Sequence, residues 1–212
     1  MKFKVEADIQ KNILLKDGEY KTTKEAIERV AKLLPNNKIF AELDEKNNII
    51  YHNSVDVLND VENVGDGLLD LGLKDCHIAI SAENSYLYII CDMSISGGVG
   101  VVTPIDKDAN EDLCMTLLSK CDADAVICSA YLVKKFENVK KNCPKLKTII
   151  TIDKKIDDYP YIKEIMEKGK ALAPKQIYHN LELDLDKPAK ILFTSGTTGA
   201  NKPVMLSQKN LA

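Results

Sequence analysis

Long apolar runs are missing from these 212 residues: no stretch approaches the ~18 apolar side chains that a membrane-spanning helix requires. No secretory leader is expected either, since the opening MKFKVEADIQK has no apolar core. There is no basic excess. Lys and Arg number 29 against 32 Asp and Glu, a formal net charge of −3, which argues against nucleic acid as the main partner. Paired cysteines are absent as well: Cys76, Cys91, Cys114, Cys121, Cys128 and Cys143 fall singly, with no C-x-x-C and no nearby histidine pair. That excludes the usual zinc and redox motifs, leaves the thiols as small buried hydrophobes, and predicts a reducing, cytoplasmic setting. No internal repeat or low-complexity tract appears. What remains is an ordinary globular composition, 45% hydrophobic, in a chain long enough to bury a core.

The most informative stretch is ILFTSGTTGANKPVML, Ile191 to Leu206. An apolar run leads into six residues of only Thr, Ser and Gly, followed by Lys202 and a second apolar run. Small residues let backbone N–H groups close around phosphate oxygens, and Gly196 and Gly199 permit positive φ. Thr194, Ser195, Thr197 and Thr198 add hydroxyl donors, and Lys202 adds a mobile positive charge. The pattern predicts a phosphate cradle between two strands. A Walker A loop is excluded at two positions: counted from Gly196, Asn201 stands where its second Gly belongs and Pro203 where its Ser or Thr belongs. The bland alternative is a polar hairpin turn.

Periodicity supplies the frame. A helix is predicted from Thr23 to Leu34, stopped by Pro35. Runs at Ile39–Leu43 and Ile49–Tyr51 around a polar turn predict a hairpin. A helix capped by the Ser54 hydroxyl runs to a stop at Gly72, and Gly65 and Gly67 within it mark close packing against a neighbour. Strands at His77–Ser81, Val99–Thr103, Ala125–Cys128 and Thr148–Ile152 then alternate with helices at Tyr86–Ser96, Glu111–Cys121, Tyr131–Asn142 and Tyr161–Lys168. The second of these helices is capped by Asn110, and Tyr86–Ser96 by Asn84 or Ser85. This is the α/β pattern of a mostly parallel sheet with helices on both faces, preceded by an N-terminal helix and a β-hairpin. The Gly98-Val99-Gly100 run is no dinucleotide fingerprint, because Thr103 fills the third glycine position and the order is helix to strand. Residues 172–188 read as a connection into the loop's strand and a possible subdomain edge.

Three weaker features have bland readings. Lys134, Lys135, Lys140, Lys141, Lys145 and Lys147 would suit anionic lipid, in a peripheral membrane contact, or the phosphates of coenzyme A, but solvated helix faces look the same. Glu83 and Asn84 follow a strand's carboxyl end, where α/β proteins bind ligands, yet helix capping explains them as well. His52, His77 and His179 receive no chemistry.

The loop resembles the signature of the adenylate-forming enzymes, which include acyl-CoA synthetases, luciferases and peptide-synthetase adenylation domains. That signature runs [ST]-S-G-[ST]-T-G-x-P-K-G, then V-x-x-[ST]-H-x-N. Thr194, Ser195, Gly196, Thr197, Thr198, Gly199, Lys202, Val204, Ser207 and Asn210 match it, whereas Asn201, Pro203 and Gln208 replace Pro, Gly and His. Glu83 to Lys107 resembles a second family segment, E-N-x-x-E-W leading into G-x-V-V-V-P-[LI]-D, with Tyr86 and Tyr88 as its aromatics. The resemblance covers roughly residues 23 to 211 and leans toward long-chain fatty-acid CoA ligases. It implies an incomplete acetyl-CoA synthetase-like large domain, with residues 1–212 as its N-terminal portion.

The implied chemistry joins a carboxylate to ATP, giving acyl-adenylate and pyrophosphate, before a thiol such as coenzyme A takes the acyl group. The resemblance makes Thr194, Ser195, Gly196, Thr197, Thr198, Gly199 and Lys202 the ATP phosphate-binding residues, with Mg²⁺ sharing the charge. The substrates implied are ATP, coenzyme A and a small carboxylate, most simply a fatty acid. No catalytic residue is assigned within the chain, no metal ligand is named, and no turnover is expected of these residues alone. Other readings stay open: adenylation of an aryl or amino acid, a nucleotide- or partner-binding module without catalysis, and a phosphotransferase with an unusual loop.

Overall fold

The computed structural model describes residues 20–44, 46–195 and 201–212, with Ser195 described in its backbone only. Helix α1 (Thr23–Leu33) starts where the Thr22 hydroxyl accepts from Glu25 N at 3.1 Å. Strands β1 (Lys38–Leu43) and β2 (Ile49–Asn53) form the expected antiparallel hairpin. Its turn uses Asn47 at φ 62, while the Asp44 carboxylate accepts from the backbone N–H of Lys46 and Asn48.

Helix α2 (Ser54–Asp70) is capped one residue earlier than the hydroxyl suggested. The Asn53 side chain accepts from Val55 N and Asp56 N, and the Asp56 carboxylate returns to Asn53 N. Ser54 Oγ instead donates to Leu34 O, tying α2 to the end of α1. Gly72, at φ 83, ends the run as expected, since only glycine takes that φ without strain.

The alternating units follow in order. They are β3 (Cys76–Ser81), α3 (Tyr86–Ser94), β4 (Gly100–Pro104), α4 (Glu111–Lys120), β5 (Ala125–Cys128), α5 (Val133–Lys140), β6 (Thr148–Thr151) and α6 (Ile162–Leu172). Strands β7 (Pro188–Ser195) and β8 (Asn201–Ser207) and a short helix, α7 (Gln208–Leu211), close the chain. Three expected boundaries move. The helix expected at Tyr86–Ser96 changes at Ile95 into a π-helical turn, Ile95–Val99, in which Gly98 sits at φ 154. The one expected at Tyr131–Asn142 opens as a 3-10 turn, Ala130–Leu132, and α6 runs on to Leu172.

The six-stranded sheet has the order β6-β5-β3-β4-β7-β8, parallel throughout except for the antiparallel β7–β8 pair. Chain direction explains the helix placement. The step β3 to β4 moves one way across the sheet, the steps β4 to β5 to β6 move back, and β6 to β7 returns. Right-handed crossovers then require the helices of opposite steps to lie on opposite faces. They do: α2, α3 and α6 share one core cluster with Ile78, Ile80 and Val102, whereas α4 and α5 share the other with Ala79, Val101 and Val126. Both faces are covered, as expected.

The connection after α6 is no mere linker. Tyr178 is fully buried in the first cluster, its ring lying where a side chain on Gly65 would stand and its hydroxyl where one on Gly97 would: a Cβ on Gly65 would come within 2.2 Å of Tyr178 Cδ2. The segment is pinned on all sides. Asp66 Oδ1 accepts from Tyr178 N at 2.7 Å, and the Lys24 ammonium donates to Tyr178 O at 2.9 Å and to His179 O. Burial pushes the Asp66 carboxyl above its ordinary pKa and the Lys24 ammonium below its own. The Tyr178 hydroxyl has no hydrogen-bond partner among the described residues. Tyr178→Phe is therefore expected to leave stability unchanged or to raise it by up to ~1 kcal/mol, because a buried unpaired hydroxyl opposes folding. A urea midpoint that falls by more than the experimental scatter would show that the hydroxyl is satisfied.

Candidate functional site

Strand β7 carries the loop to the edge of the sheet. Ala189 and Ile191 are buried, Lys190 lies opposite Val102 of β4, and the antiparallel register with β8 holds step by step from Lys190–Leu206 to Ser195–Asn201. Thr194 and Lys202 are directly opposed at the last pair but one. Gly196, Thr197, Thr198 and Gly199 lie outside the described residues, as does the Ser195 side chain. Pro203, one of the three departures from the signature, pairs with Phe193 in unbroken register. It is tolerated because β8 is an edge strand, with no second neighbour waiting for its N–H.

Side-chain alternation assigns the faces. Lys190 bonds Asp92 of α3 at 2.7 Å, whereas Ile191 and Phe193 pack in the α4–α5 cluster. Thr194 and Lys202 therefore share the α3 face. Both are exposed, and Lys202 has no hydrogen-bond or ion-pair partner among the described residues. An unpaired ammonium beside a hydroxyl, at the carboxyl end of a parallel strand, is suited to an anionic ligand.

A second feature lies along the same edge. The connections leaving β3 and β4 depart to opposite faces, which opens a crevice between adjacent strand ends, the arrangement in which open α/β sheets bind ligands. The crevice measures about 390 Å³ and is lined by Glu83, Asn84, Tyr88, Asp106 and Lys107. Lys107 Nζ lies 3.1 Å from Asp108 and 3.3 Å from Glu83, and both hold its pKa above the ordinary lysine value. Tyr131 donates to Glu83 at 3.2 Å. The capping explanation of Glu83 and Asn84 fails, since it is Ser85 whose side chain accepts from Tyr88 N. Asp106 stood out in the sequence only as the end of the family-like P-[LI]-D segment and Lys107 only as the residue after it, because nothing local says that β3 and β4 are neighbours.

The remaining candidates have structural work. Tyr86 donates to Asp60 at 2.8 Å and stacks on His52 at 3.6 Å between ring centres, fastening the hairpin to α2 and α3. Burial pushes both the Tyr86 hydroxyl and the Asp60 carboxyl above their ordinary pKa values. His77 Nδ1 lies 2.5 Å from Cys121 O. His179 lies 2.9 Å from Glu62 and 3.8 Å from Glu28 beside the Lys24 ammonium, and anchors the segment after α6 to α1 and α2. All six thiols are free and five are buried, with the Cys128 thiol pushed up to about 12 by burial. Much of the basic stretch is engaged locally: Lys135 bonds Lys107 O and Ala109 O, Lys147 bonds Pro144 O, and Lys145 faces Asp122. Among the described residues, no helix is long and apolar enough to cross a membrane.

A mostly parallel sheet covered on both faces, with a crevice at its carboxyl edge, defines an α/β domain. The chain belongs to the AMP-binding enzyme family, whose model matches residues 27–212. Long-chain-fatty-acid–CoA ligase ACSBG1 of Rattus norvegicus is 27% identical over 157 residues, covering 70% of this chain and 22% of that protein. The chain thus spans about a fifth of the length of the curated relatives it matches first. Among solved structures, a putative long-chain-fatty-acid CoA ligase from Rhodopseudomonas palustris CGA009 superposes with a TM-score of 0.73 at 18% identity, over 90% of this chain and 45% of that one. Apo MbtA from Mycobacterium smegmatis gives 0.77 at 12% identity, over 96% and 36%. At these identities the likeness is one of fold.

Proposed function

We propose that this chain carries the ATP-phosphate-gripping portion of an enzyme that joins a fatty acid to coenzyme A through an acyl-adenylate. The observation that carries the reading is the opposed Thr194–Lys202 pair at the ends of a family-matching segment, a hydroxyl beside a cation that has no partner among the described residues, at the carboxyl edge of the sheet. The fatty-acid preference is supported by the names of the related ligases. Free, largely buried thiols support a reducing, cytoplasmic setting.

The physical difficulty of the reaction is the approach of two anions. Like unit charges at 4 Å repel by about 4 kcal/mol at an effective dielectric of 20. In this reading the segment Thr194 to Gly199 holds the β- and γ-phosphates aside, and Lys202 offsets the charge of the departing pyrophosphate. Magnesium arrives as part of the substrate, MgATP, and no residue of the chain is assigned to it. Coenzyme A is the acceptor in the second half-reaction.

The test uses protein made from the full natural reading frame that contains these residues. Carboxylate-dependent exchange of labelled pyrophosphate into ATP is measured across short, long and aromatic acids. Exchange that requires a long-chain acid supports the reading in full, and exchange with another acid class keeps adenylation while replacing the substrate. No exchange with any acid, in folded protein, overturns it.

A further inference from the structure

A lysine that no motif contains reaches the first residue of β8 from the other face of the sheet. Lys120, in the last turn of α4, donates from Nζ to the Asn201 carbonyl at 2.8 Å, across 81 positions of sequence. Asn201 is the first residue of β8 and pairs with Ser195, one step beyond the Thr194–Lys202 pair. The face assignment makes this contact specific. Lys202 projects on the α3 side, whereas α4, which bears Lys120, packs against the opposite side with Ile191 and Phe193. The start of β8 thus carries one ammonium on the α3 side, Lys202, and is met by another from the α4 side, Lys120.

The strand so held needs holding. β8 lies at the edge of the sheet, paired to β7 alone, and its exposed residues include Val204 and Met205. Pro203 also withholds a backbone donor two residues after Asn201. In the ATP-binding reading, backbone N–H groups that grip phosphate depend on where the two ends of the loop stand.

We infer that Lys120 is a positioning residue for the phosphate loop, fixing the point where the chain re-enters the sheet by its bond to the Asn201 carbonyl. This rests on the ATP-binding reading of the loop. Lys120 acts through Asn201 and does not touch the substrate. Arginine at this position keeps a long cationic donor and would reach the same oxygen, whereas methionine keeps the stem and removes the bond.

The experiment compares Lys120→Met and Lys120→Arg with wild type in the full-reading-frame protein. Measurements are KM for MgATP and for the carboxylate, kcat for pyrophosphate exchange, and Tm. The expected result for Lys120→Met is a ~10-fold rise in KM for MgATP, with kcat and the carboxylate KM within ~2-fold and Tm unchanged. Lys120→Arg is expected to recover most of the loss. An unchanged KM for MgATP overturns the inference, as does a uniform loss across all parameters with a lowered Tm, which would mark an ordinary structural contact. If wild type shows no exchange with any acid, calorimetric binding of ATP and of pyrophosphate reads Lys120 separately from the adenylation reading. Roughly tenfold weaker binding by Lys120→Met supports the inference. Equal binding, or no binding by wild type, overturns it.

Discussion

Gly169→Ala is expected to destabilise this chain by about 3 kcal/mol or more, the largest single-site effect anticipated outside the loop. In an isolated helix the same change would stabilise by up to ~1 kcal/mol, since glycine is the poorer helix former. The sign reverses because α6 crosses α2 with the two backbones touching. A Cβ on Gly169 would stand 1.7 Å from Asn63 O and 2.8 Å from Gly67 N, and a Cβ on Gly67 would stand 2.1 Å from Ile165 O. These obstacles are backbone atoms of a packed helix, not the ends of flexible side chains, so one helix must move away from the other. Ile162 and Ile165, buried against Val61, Val64 and Leu68, would lose packing as it does. Chemical denaturation checks this directly. A urea midpoint at or above that of wild type would mean that the helices do not meet as described.

Lys202→Ala is expected to slow acyl-adenylate formation about 100-fold in the full-reading-frame protein, within the range for removing one preorganised charge donor from a transition state. It should leave the transfer from preformed acyl-adenylate to coenzyme A nearly unchanged. The asymmetry follows from the proposed role: the charge that Lys202 offsets appears on pyrophosphate, which is absent from the second half-reaction. Stability should shift by no more than ~0.5 kcal/mol, because the exposed ammonium bonds nothing among the described residues that its removal would orphan. Single-turnover assays of the two half-reactions decide the matter. Equal slowing of both would remove Lys202 from the pyrophosphate and leave it a general binding contact.

How far the sequence carried the fold is visible in particular elements. The strand at Ala125–Cys128 was readable to the residue, because four apolar residues between polar turns can only be buried on both faces. Asn110 was readable as a cap, its side chain accepting from Leu113 N as the local rule requires. Gly65 and Gly67 announced a close approach, and both have one, but the partners are a tyrosine and an isoleucine about a hundred residues away. Tyr178 itself lay in a stretch of weak periodicity and drew no notice. Ser85, not Asn84, caps α3, since adjacent polar residues offer the same side-chain chemistry and only the turn of the chain selects between them.

The site divides in the same way. Thr194 to Gly199 and Lys202 lie within nine residues of one another, so their pattern could be read along the chain as an expected phosphate cradle, and the same short span carries the family resemblance. The crevice at Glu83 and Lys107 and the reach of Lys120 to Asn201 join residues from separate units. By itself the sequence determined the alternation of strands and helices, the two-faced core and the Thr/Ser/Gly motif that carries the family resemblance, because each depends on residue types at fixed short spacing along one chain. Tertiary structure alone decided that β4 lies between β3 and β7, that the helices change face between α3 and α4, and that a lysine of α4 meets Asn201 at the start of β8. Those facts depend on strand order and crossover hand, which join positions distant in sequence and leave no local pattern.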